Sequence, residues 1–395
     1  VDFELSEEQR MLKKMVKDFA ENEIAPIAAE IDKSGEFPWD CMKRIGELGL
    51  LSLLLPPAFG GTGPDKLSFL MALEEISAAS ASVAVPLICN SGVSRQILEH
   101  GSEEQKTEYL PAMASGERLG SCAITEPSGG ANWPFTIQTT ARLEADSYVL
   151  NGTKCFTSSG GEAELYLVMA RTDLEKGPMG ISGLIVEKGT PGFSFGRKEE
   201  KLGLRGDVSR ELFFEDCRVP TANLLCEGIL PSVSREVATL GMPGLGAIAV
   251  GLAQAALEAA TQYVKERPVA SGQMLANFDG VQCAIAEMAI MVEASRLLVL
   301  RAGAMTEPVA DLTPGAMAGA FACGAALEVT SNALQLFGAY GYTTDFPVER
   351  YFRDARGLMI VSWPMEVRKL VIGRLKLGLP TLAPLGPTPP RPGGA

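Results

Sequence analysis

The chain changes its hydrophobic period twice. From residue 1 to about 117, and again from about 231 onward, apolar residues recur at helical spacing. Between them, from Ser121 to about Leu225, they come in short runs of β-formers. Few folds place a β domain between two helical ones, so this order constrains the architecture more than any single motif does. It predicts an α+β chain: an N-terminal helical domain over 1–117, a small central β-barrel or sandwich over 118–228, and a four-helix bundle over 229–380. A Pro/Gly-rich tail over 381–395 follows, with no composition for a core.

Local signals sharpen this outline. Ser6 and Gln9 form a capping box ahead of Met11, Leu12, Met15, Val16 and Phe19. A helix over Trp39 to Leu48 ends at Gly49, and the breaker cluster of residues 55–66 precedes another with Phe69, Leu73 and Ile76 on one face. In the middle, Arg142 to Leu150 reads as two short strands around a turn, and Asn151-Gly152 predicts a further tight turn. The runs Leu165 to Ala170, Gly183 to Glu187 and Glu211 to Phe214 read as strands. Bundle helices are predicted over Gly246 to Arg267, Gly280 to Ala304, Pro314 to Phe337 and Met365 to Leu377, with alanines and glycines for close packing. The uncharged stretch Gly241 to Leu257 is short for a membrane span and is followed by Glu258, so it reads as a helix buried in the bundle.

Charge and composition remove several function classes. The net charge of −13 argues against a nucleic-acid or anionic-membrane partner, which need basic patches. Eight scattered cysteines without a CxxC pair, and a single histidine, leave no metal site and no disulfide framework. His100 precedes Gly101 and reads as a helix-end residue. Reduced thiols and the charged segment Val1 to Arg10, which lacks a signal-peptide core, give cytoplasmic as the expected location.

Four motifs then carry a resemblance over about residues 3–379. They are Ala123-Ile124-Thr125-Glu126-Pro127 with Gly129-Gly130; Leu150-Asn151-Gly152-Thr153-Lys154 running to Ser159-Gly160-Gly161; Lys201-Leu202-Gly203-Leu204-Arg205-Gly206 with Phe214-Glu215-Asp216-Cys217-Arg218-Val219-Pro220; and Gln335-Leu336-Phe337-Gly338-Ala339-Tyr340-Gly341-Tyr342 with Arg353-Asp354-Ala355-Arg356. Each alone is weak; in this order and domain context the chain resembles the acyl-CoA dehydrogenase family. The resemblance implies an FAD enzyme acting on an acyl-CoA thioester. In that chemistry a carboxylate takes the Cα proton, the flavin takes the β hydride at N5, and the electrons pass to an electron-transfer flavoprotein. It also implies a homodimer or tetramer, because the family builds each FAD site from two subunits.

Carried over position by position, the resemblance places Cys122, Ile124, Thr125, Gly130, Ala131, Phe156, Thr157, Ser158 and Pro364 against the flavin. Phe156 stands for a usual tryptophan and Ser158 for a usual threonine, so both keep their chemical type. Arg267, Gln335, Gly338, Ala339 and Gly341 match the part of the FAD site that crosses between subunits, although Pro268 to Gln273 lack the usual Phe-Gly. Asn90, Ala131, Gly241, Met242 and Arg374 fall at substrate positions, with Ala131 replacing a serine and Met242 an arginine.

The departure that matters most is at the base. Where the family has Glu-Gly-Thr, this chain has Ser362-Trp363-Pro364. A serine hydroxyl is too weak a base for a Cα proton unless another group activates it. The family's alternative base position is Gly241, also not an acid. Glu366 is a substitute if the helix already includes Ser362, which would put both on one face; Glu236 is a weaker one. Three readings follow. The first is a dehydrogenase with a relocated base or a cyclic, unsaturated or dicarboxylic acyl group. The second is a redox-silent, desulfinase-like lyase, and the third a non-catalytic subunit paired with an active paralogue.

Overall fold

The computed structural model describes residues 5–270, 272–305 and 311–381; most of the predicted tail lies outside them. Six helices build the N-terminal domain: α1 (Glu7–Phe19), α2 (Ala28–Ser34), α3 (Trp39–Glu47), α4 (Lys66–Ala79), α5 (Ala81–His100) and α6 (Glu103–Ser115). The Ser6/Gln9 capping box is present at α1, and Ser102 and Gln105 repeat it at α6. Each box satisfies two of the amide donors that a helix start leaves open. Helix α4 is buried nearly all round, not only on the predicted face, because it lies between α1 and the bundle.

The central domain is one eight-stranded sheet. Its strands are β1 (Gly120–Ala123), β2 (Thr140–Glu144), β3 (Ser147–Ser158), β4 (Leu165–Arg171), β5 (Ile181–Glu187), β6 (Phe193–Lys198), β7 (Ser209–Pro220) and β8 (Leu224–Cys226). The order is β6-β7-β3-β2-β4-β5-β8, with β1 parallel to β4. A short helix, α7 (Trp133–Thr136), interrupts the loop after β1.

The expected turn at Asn151-Gly152 is not one. The chain turns earlier, at residues 145–146, and β3 runs on through Asn151 as a bulge against β7. Asn151 Oδ1 accepts the Asp216 amide at 2.9 Å and its Nδ2 donates to the Asp216 carboxylate at 3.0 Å. A Cβ at Gly152 would stand 2.4 Å from Thr139 Oγ1, so the glycine serves close strand packing.

The C-terminal part contains α8 (Leu230–Glu236), α9 (Met242–Glu266), α10 (Asp279–Gly303), α11 (Thr313–Phe337), α12 (Val348–Leu358) and α13 (Met365–Lys376). Helix α9 continues α8 through a wide turn, Val237–Gly241, and so starts before the predicted Gly246. This continuous stretch is long and apolar enough to cross a membrane, yet 78% of its most apolar window is buried inside the fold. The packing explains the small residues: a Cβ on Gly251 would meet Glu74 O at 2.0 Å, and one on Gly315 would meet Ala238 O at 2.0 Å.

Candidate functional site

A buried ion pair organises the sheet end that carries the first motif. Lys154 Nζ lies 2.7 Å from Glu126 Oε1, with side chains 0% and 4% exposed. Glu126 also accepts the amides of Gln138 and Thr139 and the Thr139 hydroxyl, and Lys154 reaches Ile124 O at 3.3 Å. Burial pushes the Lys154 ammonium down to about 8, with Glu126 opposing it. Burial would raise the Glu126 carboxyl, but the Lys154 charge and the hydrogen bonds outweigh it and hold it low. Such a pair is costly to leave half-made, so it fixes residues 124–126 against β3.

Around this pair the structure gathers most residues expected at the flavin. Thr125 O accepts the Cys155 amide at 2.8 Å, and Ser121 Oγ donates to Ser158 O at 2.5 Å, which seats β1 and its Cys122 beside β3. Gly130 faces the Thr125 methyl. Phe156 sits in a bulge of β3 with φ of 53°, and the residue is 65% exposed. It is therefore not a strand-core residue. Next to it, Thr157 Oγ1 is buried with no hydrogen-bond partner, and Ser158 Oγ donates to Asp207 Oδ2 at 2.9 Å. Asp207 had no signal of its own in the sequence: it is a single acid after the Lys201–Gly206 motif.

The second expected patch forms at one end of the bundle. The Arg267 guanidinium lies over the Tyr340 ring, 5.3 Å from its centroid. Gly338 closes α11 with φ of 61°, and a Cβ at Gly341 would stand 2.4 Å from Leu334 O. Gln335 and Ala339 are exposed beside them. Arg267 and the 338–341 turn thus meet, although 71 residues or more separate them in sequence.

The expected base positions hold no carboxylate and are packed differently. Met242 is buried in a small apolar cluster with Ala316 and Val371, and Trp363 and Val367 pack against it. The two departures, at 242 and at 362–363, are therefore neighbours in space. A Cβ at Gly241 would meet only the Val237 side chain, at 3.8 Å.

Ser362 is exposed, with φ of 63°. Pro364 is the extended N-cap of α13, so the helix does not include Ser362 and the shared face with Glu366 does not exist. Glu366 is exposed in the first turn of α13. Glu236 is paired with Arg95 at 3.1 Å.

Arg368 explains the shape of this turn. Its side chain is fully buried, and its guanidinium donates to Trp363 O at 2.6 Å, Leu358 O at 2.8 Å, Val361 O at 3.0 Å and Gly319 O at 3.2 Å. Two of these carbonyls, Val361 and Trp363, flank Ser362. The spacing Met365, Arg368, Val371 on the inward face of α13 was the available signal: an arginine at a core position must carry its partners with it.

Ala131, Trp133, Trp363, Val367 and Arg374 line one cleft between α7 and α13. Arg374 Nη1 donates to Thr381 O at 3.3 Å. Asn90 lies elsewhere. It is fully buried, with Oδ1 accepting the Gly120 amide at 2.9 Å and Nδ2 directed to Met113 O at 3.4 Å, so its side chain ties α5 to β1 and α6. His100 ends α5, and its Nε2 lies 2.7 Å from Ser232 Oγ. Among the described residues no cluster of metal-ligating side chains occurs.

The sequence matches the acyl-CoA dehydrogenase N-terminal domain over residues 6–117, the middle domain over 121–217 and the C-terminal domain over 233–377. It belongs to the acyl-CoA dehydrogenase family. A short-chain specific acyl-CoA dehydrogenase of Clostridium acetobutylicum is 41% identical, covering 94% of this chain and 98% of that one. An NADH acryloyl-CoA reductase of Anaerotignum propionicum is 41% identical over 95% of each. A chain from the solved structure of the electron transferring flavoprotein of Acidaminococcus fermentans superposes with a TM-score of 0.92 at 40% identity, covering 95% of this chain and all of its own.

Acyl-CoA dehydrogenases are FAD-dependent enzymes, and this chain is an oxidoreductase of that type. Its own residues fit the cofactor. The exposed Phe156 offers an apolar face that a flavin would cover, and next to it in the chain Thr157 Oγ1 is a buried polar atom lacking a partner.

Proposed function

We propose that this acyl-CoA dehydrogenase acts on an acyl-CoA thioester whose reacting C–H is already activated, as in a cyclic or unsaturated acyl group. The observation that carries the reading is the contrast within the site. The flavin-side residues Thr125, Phe156 and Ser158 are assembled, while both base positions, Ser362 and Gly241, lack a carboxylate and adjoin the apolar Met242–Trp363 packing. A substrate that already carries a group able to delocalise the Cα carbanion has a more acidic C–H and needs a weaker base than a saturated chain does.

In this reading Phe156 would hold the flavin ring and the Ser158 hydroxyl would serve its N5 edge. The flavin supplies the hydride acceptor when bound. Ala131, Trp363 and Arg374 line the acyl-CoA cleft, with Arg374 as the cationic group toward the thioester's polar end. Arg267, Gln335 and Gly341 serve the FAD of a second copy, so the enzyme works as a homo-oligomer or with a paralogous subunit. Its electrons pass to an electron-transfer flavoprotein.

Anaerobic titration of the purified yellow protein with linear, cyclic, unsaturated and dicarboxylic acyl-CoAs tests this. Bleaching of the flavin band is expected with the activated thioesters and not with butyryl-CoA. A protein that binds acyl-CoA but bleaches with none would favour the redox-silent lyase. A colourless chain that turns yellow only with a paralogue would favour the partner-subunit reading.

A further inference from the structure

Behind Ser158 stands an acid that the chemistry above does not use. Asp207 is 3% exposed, and its Oδ2 accepts the Ser158 hydroxyl at 2.9 Å. Lys201 Nζ lies 3.6 Å from the same oxygen and is held in place by Ser209 Oγ at 3.0 Å. Oδ1 is buried and has no hydrogen-bond partner, which is an uncommon state for an ionised carboxylate. The groups facing this carboxyl are Lys201, the Ser158 hydroxyl, the Ser159 amide and, from α5, the Cys89 thiol.

The hydroxyl has a single proton, so its direction is set by the acid. With Asp207 ionised, Ser158 donates to it and turns a lone pair outward. With Asp207 protonated, the acid donates to Ser158 Oγ and the hydroxyl donates outward. These two arrangements match what flavin N5 requires in its two redox states: an N5–H needs an acceptor, and a bare N5 needs a donor. Burial pushes the Asp207 carboxyl up, opposed by Lys201, the Ser158 hydroxyl and the Ser159 amide.

We propose that Asp207 takes up, through the Ser158 hydroxyl, the proton that leaves flavin N5 when the reduced cofactor gives its electrons to a one-electron acceptor protein. The N5–H bond breaks as a new O–H bond forms on Ser158; the original Ser158 O–H breaks as one forms on Asp207. The two electrons leave in separate transfers to the acceptor, and no proton leaves the protein. The proposal rests on the reading that sets Ser158 against the N5 edge.

The test is the midpoint potential of the FAD-loaded full chain as a function of pH. A two-electron, one-proton couple moves by about 30 mV for each tenfold change in proton concentration. A proton kept on Asp207 flattens that slope, so the parent chain should show a flat window. Asp207→Asn should restore the slope while leaving FAD bound. Ser158→Ala should restore it too, with the acid still present, and Ser158→Thr should stay flat. A parent chain that already slopes fully, or an Asp207→Asn chain as flat as the parent, overturns the relay. If Asp207→Asn does not fold, the Ser158 pair decides by the same criterion. A chain that binds no FAD overturns the flavin reading beneath it, an outcome visible before any titration.

Discussion

The two walls of the proposed site are built from opposite materials. On the sheet side, charges are buried and answered: Glu126 by Lys154, Asp207 by Lys201 and Ser158. On the bundle side, Met242, Trp363, Val367 and Val371 pack as an apolar block, and its one buried charge, Arg368, is spent on backbone carbonyls. Paired charges and hydrogen bonds of this kind fix groups in place. An apolar block excludes water but moves no proton. Under the proposed function, the difference would put proton transfer on the sheet side and leave shape to the bundle side.

The contrast can be broken by putting an acid back. Ser362→Glu should speed desaturation of a saturated acyl-CoA by about 10²–10⁴-fold, the usual worth of a placed general base. Flavin bleaching rates measure it. No gain would mean that the Arg368-held turn aims residue 362 away from the substrate.

On the other wall, Lys154→Met strands Glu126 in the interior and should lower unfolding stability by about 3–5 kcal/mol. Urea denaturation reads this, and adding Glu126→Gln should recover much of the loss. Arg368→Met should cost about 1–3 kcal/mol by leaving carbonyls unanswered, and should make the 358–363 turn more susceptible to proteolysis.

Asp354 gives a pH test outside both walls. It is buried, accepts the Leu204 amide at 2.6 Å, and burial pushes it up to about 6. The folded chain then holds a proton that the unfolded chain has released, so stability from this group falls as pH rises from about 4 to about 6. Asp354→Asn should flatten that part of the denaturation-midpoint profile. Glu126, held low, acts in the opposite sense and at lower pH, where acid removes its contribution. The smallest effect belongs to Glu366→Gln. An exposed first-turn acid should change stability by no more than about 0.5 kcal/mol and leave bleaching rates as they were. A large rate loss with unchanged melting would make Glu366 the base and refute the apolar-wall reading.

The domain order, the Ser6 capping box and the family were legible in the chain, because hydrophobic period and turn chemistry are local. The same locality misled at Asn151-Gly152. A turn dipeptide is compatible with a bulge when a neighbouring strand, here through Asp216 and Thr139, takes up its polar groups. At Ser362 and Glu366 the spacing by four left the question open, since it means a shared face only inside a helix, and α13 starts after Pro364.

By itself the sequence determined which side chains are available: an acid missing at 362 and 241, an aromatic at 156, hydroxyls at 157 and 158. Only the tertiary structure decided which of them meet. Ser158 faces Asp207 across 49 positions, Met242 and Trp363 share a cluster across more than a hundred, and Arg368 turns inward to hold the loop of Ser362. The physical reason is burial. Residues far apart in the chain acquire partners only when folding removes water between them, and a group's charge, reach and role follow from the partner it then has.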